Sequence, residues 1–187
     1  MSTPTADVSV RVAWAADAPA IAHVQVRAWR QGYADVFPEH VLQSLDEDAF
    51  AAQWSEAITR PSEARTRVLV ALDRATVVGF ALTAAAEDPD TDPATAGQVA
   101  EFVIDPAHQR AGHGSRLVQA CADTMQADRF THAVTWVTST DDALRTFLAD
   151  AGWAPDGAHR ELDLTGDGST LVKQVRLHTD LRSDPPS

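Results

Sequence analysis

The residues best suited to chemistry form one heptapeptide, Gln109-Arg110-Ala111-Gly112-His113-Gly114-Ser115. Glycine lets a main chain turn tightly and approach a ligand with no Cβ in between. Between a strand and a helix, such a turn aims successive N–H groups into one concavity, where the helix dipole also favours negative charge. A pyrophosphate matches that concavity, and Arg110 and Arg116 stand ready to add charge-assisted contacts. Other phosphate loops fit less well. A nucleoside-triphosphate loop ends in Gly-Lys-Ser/Thr, which this turn does not. A dinucleotide fingerprint needs three glycines in the first strand–turn–helix unit, whereas here two glycines stand past mid-chain.

The flanking elements decide whether the turn is held in that form. Val103-Ile104 ends a strand expected from Gln98 and stopped by Asp105-Pro106. From Ser115 to Asp128 the pattern is helical, with Leu117, Val118, Cys121 and Met125 directed inward. Further strands are expected at Val8 to Val12, Arg67 to Leu72, Val77 to Ala85 and Ala133 to Val137. A final hairpin is expected from His159 to Leu164 and Leu171 to Leu177. Asp17 and Pro19 open a helix that runs to about Gly32, with Asp17 as its cap. A short helix follows near Val41-Leu42. Ser44 or Asp46 then caps a third helix carrying Phe50, Trp54 and Ile58 on one face. Asp141 to Ala151 forms the last helix, closed by Gly152 as C-cap, with Trp153 as a core aromatic. The order is a strand, two or three helices, three strands, a helix, a strand, a helix and two strands. It predicts an α/β fold, a central mixed sheet with helices on both faces. One domain over residues 1–187 is expected, with its core at about 8–178 and a frayed tail at 182–187.

Bulk properties narrow the partners. A formal net charge of −12 argues against nucleic acid and anionic membranes as partners, and favours a cationic one such as an amine. No stretch approaches the ~20 continuous apolar residues of a membrane-spanning helix. Met1 to Val8 lacks the basic and apolar runs of a secretory signal, so a cytoplasmic address is expected. The single cysteine, Cys121, permits no intrachain disulfide and reads as a buried small hydrophobe.

The run Val103-Ile104-Asp105-Pro106-Ala107-His108-Gln109-Arg110-Ala111-Gly112-His113-Gly114-Ser115-Arg116-Leu117 resembles the acyl-CoA signature of the GCN5-related N-acetyltransferases. That signature reads Q/R-x-x-G-x-G/A after a strand ending in V-x-P. Trp136-Val137 with Asp141 to Trp153 looks like the second motif of that family. Ala28 to Tyr33 with Phe37-Pro38 is similar to its first helical hairpin. The resemblance covers about Val8 to Leu177. It implies the fold, acetyl-CoA or another acyl-CoA as cofactor with no metal, and direct transfer of the acetyl group to a primary amine in a ternary complex. Val103 and Ile104 would hold the pantetheine arm as an added strand would, and Gln109 to Ser115 the pyrophosphate. Trp29 and Tyr33 would line the acceptor pocket. Homodimers are common in the family, and nothing in the sequence fixes an interface.

The catalytic positions depart from the pattern. Counting back from Gly152, Leu148 occupies the place of the tyrosine that reprotonates the thiolate, and Asp141 that of an asparagine. Leu148 cannot donate a proton. The family's glutamate base falls by ungapped count near Gln98, which is not basic. Glu101 lies three residues on and would face the other side of a regular strand, unless a bulge intervenes. Glu101 therefore reads either as base or as a surface or supporting carboxylate. Tyr33, the only tyrosine, reads as core packing, acceptor contact or substitute acid. Trp29 reads as packing or as part of a cage for the acceptor. A non-catalytic acyl-CoA-binding or regulatory module of the same fold is the alternative reading, and an interaction domain that has lost its ligand is a third.

Other signals are weaker. Asp88, Asp90 and Asp92 imitate the start of a calcium loop, but Pro89 and Pro93 interrupt it and Val99 stands where glutamate belongs, so a solvated hairpin loop is expected. His108 and His113 flank the turn without a second ligand pair spaced for zinc, and His113 is expected to contribute only its amide.

Overall fold

The computed structural model describes residues 8–182. Seven strands, mostly antiparallel, form a mixed sheet flanked by helices, in the order β1-β2-β3-β4-β5-β7-β6. The strands are β1 (Val8–Val12), β2 (Arg67–Asp73), β3 (Thr76–Ala85), β4 (Ala96–Ile104), β5 (His132–Thr138), β6 (Ala154–Asp163) and β7 (Leu171–Asp180). The helices are α1 (Ala18–Gly32), α2 (Glu39–Gln43), α3 (Glu47–Thr59), α4 (His113–Ala127) and α5 (Asp142–Asp150). This element order is the one expected from periodicity. The tail expected to fray lies, beyond Arg182, outside the described residues. No described helix is long and apolar enough to cross a membrane.

The described chain divides into two compact units, residues 8–83 with 101–121 and residues 84–100 with 122–182. In the first unit, β1 pairs antiparallel with β2 and β2 with β3. Ile21, Ala22 and Val24 of α1 and Trp54 of α3 are buried with Val68, Val70, Leu72 and Phe80 of the sheet. Trp54 meets Phe80 edge to face at 4.9 Å, and its indole donates to Gln25 at 2.6 Å, so the ring is buried without an orphaned N–H. Asp46 caps α3 as expected, accepting from Ala49 N. Asp17 stands at the N-cap of α1, but its side chain makes no capping bond there. Its carboxylate is taken by both terminal nitrogens of Arg11, at 2.7 and 3.0 Å, and by Trp14 N at 2.7 Å. A bidentate guanidinium competes better for a carboxylate than a helix N–H does.

In the second unit, β5 runs parallel to β4 over four pairs, Ala96↔His132 to Val99↔Thr135, and antiparallel to β7. The loop after β3 is not simply solvated. Asp88 accepts from Trp136 Nε1 at 3.1 Å, and Asp90 takes both terminal nitrogens of Arg176 at 2.7 and 2.6 Å. Asp156 takes the Nε of Arg176 at 2.6 Å, and Arg160 stacks over the Trp136 ring at 4.3 Å. Arg176 is nearly buried, and its ion pairs hold the guanidinium far above the ordinary arginine range. Trp153 is buried behind Gly152, whose φ of 92° suits a C-cap, as expected.

Candidate active site

The Gly turn joins the end of β4 to α4 by way of a short 3₁₀ turn, Pro106–His108. Asp105 organises that junction. Its N–H donates to Val78 O at 2.8 Å, and its carboxylate accepts from Ala107 N at 2.9 Å. The same carboxylate lies 3.3 Å from the Arg27 guanidinium of α1. The chain then turns with Arg110 at φ 60° and Gly112 at φ 86°. An L side chain resists that region, and the arginine there marks a backbone held by its surroundings. A Cβ added at Gly112 would meet nothing within 4 Å, so glycine is required there by dihedral angle and not by space.

Within the described residues, no main-chain N–H from Gln109 to Ser115 donates to another protein group. The first hydrogen bond of the new helix is made by Arg116 N, to Gly112 O at 3.2 Å. Gln109, Arg110, Ala111, Gly112 and Ser115 are exposed, and Gly114 is half-buried. A row of free donors at the start of a 15-residue helix is a fit for an anion. The donor set, amides with Arg110 and Arg116 nearby in sequence, matches a diphosphate in charge and hydrogen-bonding sense.

The His113 side chain is buried, at 2% exposure, and its Nδ1 has no hydrogen-bond partner. The neighbouring His108 also has a buried, unpartnered Nδ1, and the two rings meet edge to face at 6.3 Å. The sequence held a signal for this burial. His113, Leu117, Cys121 and Met125 are spaced by four, so the histidine extends the apolar stripe by one turn, and the three that follow it are fully buried. Burial pushes the Cys121 thiol up to about 12, as suits an inert core cysteine.

Upstream, β4 carries the candidate base. The ladder between β4 and β5 stops at Val99↔Thr135, while β4 continues to Ile104. Two bonds mark the ends of its run beside β3: Ala86 N to Ala96 O at 2.9 Å, and Asp105 N to Val78 O at 2.8 Å. Between them β3 advances eight residues, from 78 to 86, and β4 nine, from 96 to 105. One extra residue on β4 is the mark of a β-bulge. The assumption of strict alternation, which turned Glu101 away, therefore does not hold along this strand. Glu101 is half-buried, and desolvation raises its carboxyl from an ordinary 4.5 to about 7. A carboxyl poised near neutrality is matched to accepting a proton from an ammonium. Val103 packs against the core cluster that α1, α3, β2 and β3 share, and Gly79 leaves room for the Ile104 side chain; a Cβ there would fall 2.9 Å from Val103 O.

Trp29 and Tyr33 are both half-buried at the end of α1. Trp29 meets Tyr33 at 5.8 Å and Phe50 at 5.3 Å, and Tyr33 meets Phe37 at 6.1 Å, all edge to face. In the other unit, Asp141 is the N-cap of α5, accepting from Leu144 N at 3.0 Å, and Leu148 is buried. Among the described residues, no group of three or more His, Cys, Asp or Glu is arranged to hold a metal ion.

Whole-chain comparisons give the class of protein in which this strand, turn and helix start occur. The sequence model of the acetyltransferase (GNAT) family matches residues 25–153, and the chain belongs to that family. Among solved structures, it resembles PaiA N-acetyltransferase from Thermoplasma acidophilum in complex with coenzyme A, at 15% identity and a TM-score of 0.70, over 92% of this chain and 98% of that one. A GCN5-related N-acetyltransferase from Kribbella flavida matches at 20% identity and a TM-score of 0.66, over 93% and 98%. The ribosomal-protein-S18-alanine N-acetyltransferase of Escherichia coli matches at 16% and 0.65, over 96% and 97%. At such identities the likeness is one of fold. No curated protein sequence matches the chain.

Proposed function

We propose that this protein is an acyl-CoA-dependent N-acyltransferase that passes an acetyl group from acetyl-CoA to a primary amine in a ternary complex, with residues 1–187 acting as one cytoplasmic acyltransferase domain. The observation that carries this reading is the run of N–H groups from Gln109 to Ser115 with no acceptor in the protein. These amides, with Arg110, would hold the diphosphate, and the main chain of Val103 and Ile104 the pantetheine arm, as an added strand. Asp141 takes the position of the family's asparagine and joins the cofactor contacts in this reading. When bound, acetyl-CoA supplies an acetyl group activated as a thioester.

The protein's part is orientation and proton transfer. Trp29 and Tyr33 would form one wall for the acceptor. An alkylamine arrives protonated, with a pKa near ~10, and must lose a proton before it can attack. Glu101, held near neutrality by burial, would take that proton, directly or through one water. Main-chain N–H groups of β4 would polarise the carbonyl as the amine adds. Leu148 has no proton to give, so Tyr33 or water would be the source of the proton that the coenzyme sulfur needs. The acidic chain favours a cationic acceptor in solution.

The direct trial is calorimetry with acetyl-CoA, followed by thiol release against a panel of amines. Micromolar binding with turnover on at least one amine is expected; no binding at millimolar ligand ends the reading. The buried Leu148 favours a second reading, a module that binds acyl-CoA without turnover. It predicts tight binding and no thiol release on any amine, and a single well-turned-over acceptor removes it.

A further inference from the structure

The Gly turn and the first helix meet at one buried carboxylate. Asp105 is 5% exposed, and main-chain bonds hold it on both sides: its N–H donates to Val78 O and its carbonyl accepts from His108 N, each at 2.8 Å. Its Oδ1 serves two different elements. Ala107 N, in the 3₁₀ turn that leads to Gln109, donates to it at 2.9 Å, and Nη2 of Arg27 in α1 lies 3.3 Å away. Oδ2 lies 3.9 Å from His108 Nδ1. The proposed chemistry gives neither Arg27 nor Asp105 a role.

Arg27 stands on α1 just ahead of Trp29 and Tyr33, and α1 is anchored in the core by Ile21, Ala22 and Val24. Drawing the guanidinium away from Asp105 would leave a buried carboxylate without its cation, which is costly. The entrance to the turn and the helix therefore hold each other in place. Such a hold matters because, among the described residues, the amides of the turn make no bonds of their own to the protein. A ligand that pins the turn narrows the movement of Asp105, and through Arg27 that of α1. Order gained at the first site need not be gained again at the second.

We propose that Arg27 is a positioning residue that acts through Asp105, coupling the 109–115 turn to the helix that carries Trp29 and Tyr33, so that a seated cofactor steadies the acceptor wall. This rests on the reading of the turn as a diphosphate cradle.

The first test is calorimetry with CoA on wild type, Arg27→Gln, Asp105→Asn and the double variant. Gln keeps a helix-forming chain at 27, and Asn keeps an acceptor for Ala107 N. Arg27→Gln is expected to weaken CoA about fivefold in the wild-type background and less than about twofold beside Asp105→Asn. A loss below twofold in the first background, or equal losses in both, overturns the proposal; equal losses are what the charge of Arg27 acting directly on the anion would give. The second test is hydrogen exchange at Tyr33 N–H, whose 2.9 Å bond to Trp29 O closes α1. Saturating CoA should slow that exchange about threefold in wild type and leave it unchanged in Arg27→Gln at equal saturation. No slowing in wild type, or the same slowing in the variant, overturns the coupling and leaves the cradle standing. This comparison decides the matter if Asp105→Asn does not fold. No binding of CoA to wild type at millimolar concentration overturns both.

Discussion

Two polar clusters in this protein handle their hydrogen bonds in opposite ways. Around Arg176 the side-chain groups are matched to one another. One guanidinium serves Asp90 and Asp156, with Asp88 3.7 Å away, and Asp88 also takes the Trp136 indole. At the Gly turn, a run of amides points at no protein acceptor and two buried ring nitrogens have no partner. A satisfied cluster stabilises the fold and asks for nothing from solvent. An unsatisfied one, held in shape by Asp105 and by unusual dihedral angles, is suited to a ligand that supplies the missing partner. The contrast locates the candidate site more sharply than a count of charged residues, since both clusters carry Asp and Arg.

The contrast breaks first at Arg176. Removing one partner of a buried ionic network strands the others, and Asp88 is nearly as buried as the arginine. Arg176→Met should cost about 3 kcal/mol of stability, at the low end for such networks because Asp90 reaches water. Urea denaturation measures the loss. Acetyl-CoA affinity of the folded fraction should stay within about twofold of wild type, given that additivity holds for groups without shared partners. A large loss of affinity with little loss of stability would reverse the roles assigned to the two clusters.

Glu101 sharpens the comparison, because it is a group whose ionised form the fold disfavours. Its carboxyl is raised from 4.5 to about 7, so between those values the folded state holds more protons than the unfolded chain. Stability contributed by this group is full below pH 4.5 and is lost as pH rises through about 7, by an amount of about 3 kcal/mol. Glu101→Gln should flatten that slope in denaturation curves taken between pH 5 and pH 8. In the same variant, the rise of kcat/KM through pH 7 should disappear and the plateau should fall about a hundredfold. A variant with wild-type rate and slope would return Glu101 to the role of supporting carboxylate.

What the sequence made legible, and what it hid, follows the same division. The turn could be read because its information is local: two glycines, a strand stopped by Asp105-Pro106 and an apolar stripe after it. The partners of Arg176 could not, since Asp90 is separated from it by 86 residues and a lone acidic loop looks solvated until the opposing strand is in place. Asp17 misled for a related reason: Arg11 supplies a bidentate partner that outbids the helix N–H groups, and no rule of spacing foretells it. The bulge in β4 lay beyond reach as well. Alternation assumes a regular ladder, and the extra residue shows only once two hydrogen bonds to β3 can be counted.

The smallest expected effect lies at Asp141, which the family pattern assigns to the cofactor and the structure shows as a helix cap. Both roles use the same carboxylate, but they predict different losses. As a cap, Asp141 satisfies one otherwise free N–H of α5, that of Leu144, and Asp141→Ala should cost about 1 kcal/mol of stability. Asp141→Asn keeps an acceptor for Leu144 N, restores the family's own residue and removes one negative charge. If the cap is the whole role, Asn should recover the stability and leave the KM for acetyl-CoA unchanged. If the side chain also meets the cofactor, the KM should rise in the Ala variant beyond what its stability explains, and fall below wild type in the Asn variant, where an acceptor-only carboxylate gives way to an amide that can also donate. Steady-state kinetics on the two variants beside wild type separates these outcomes.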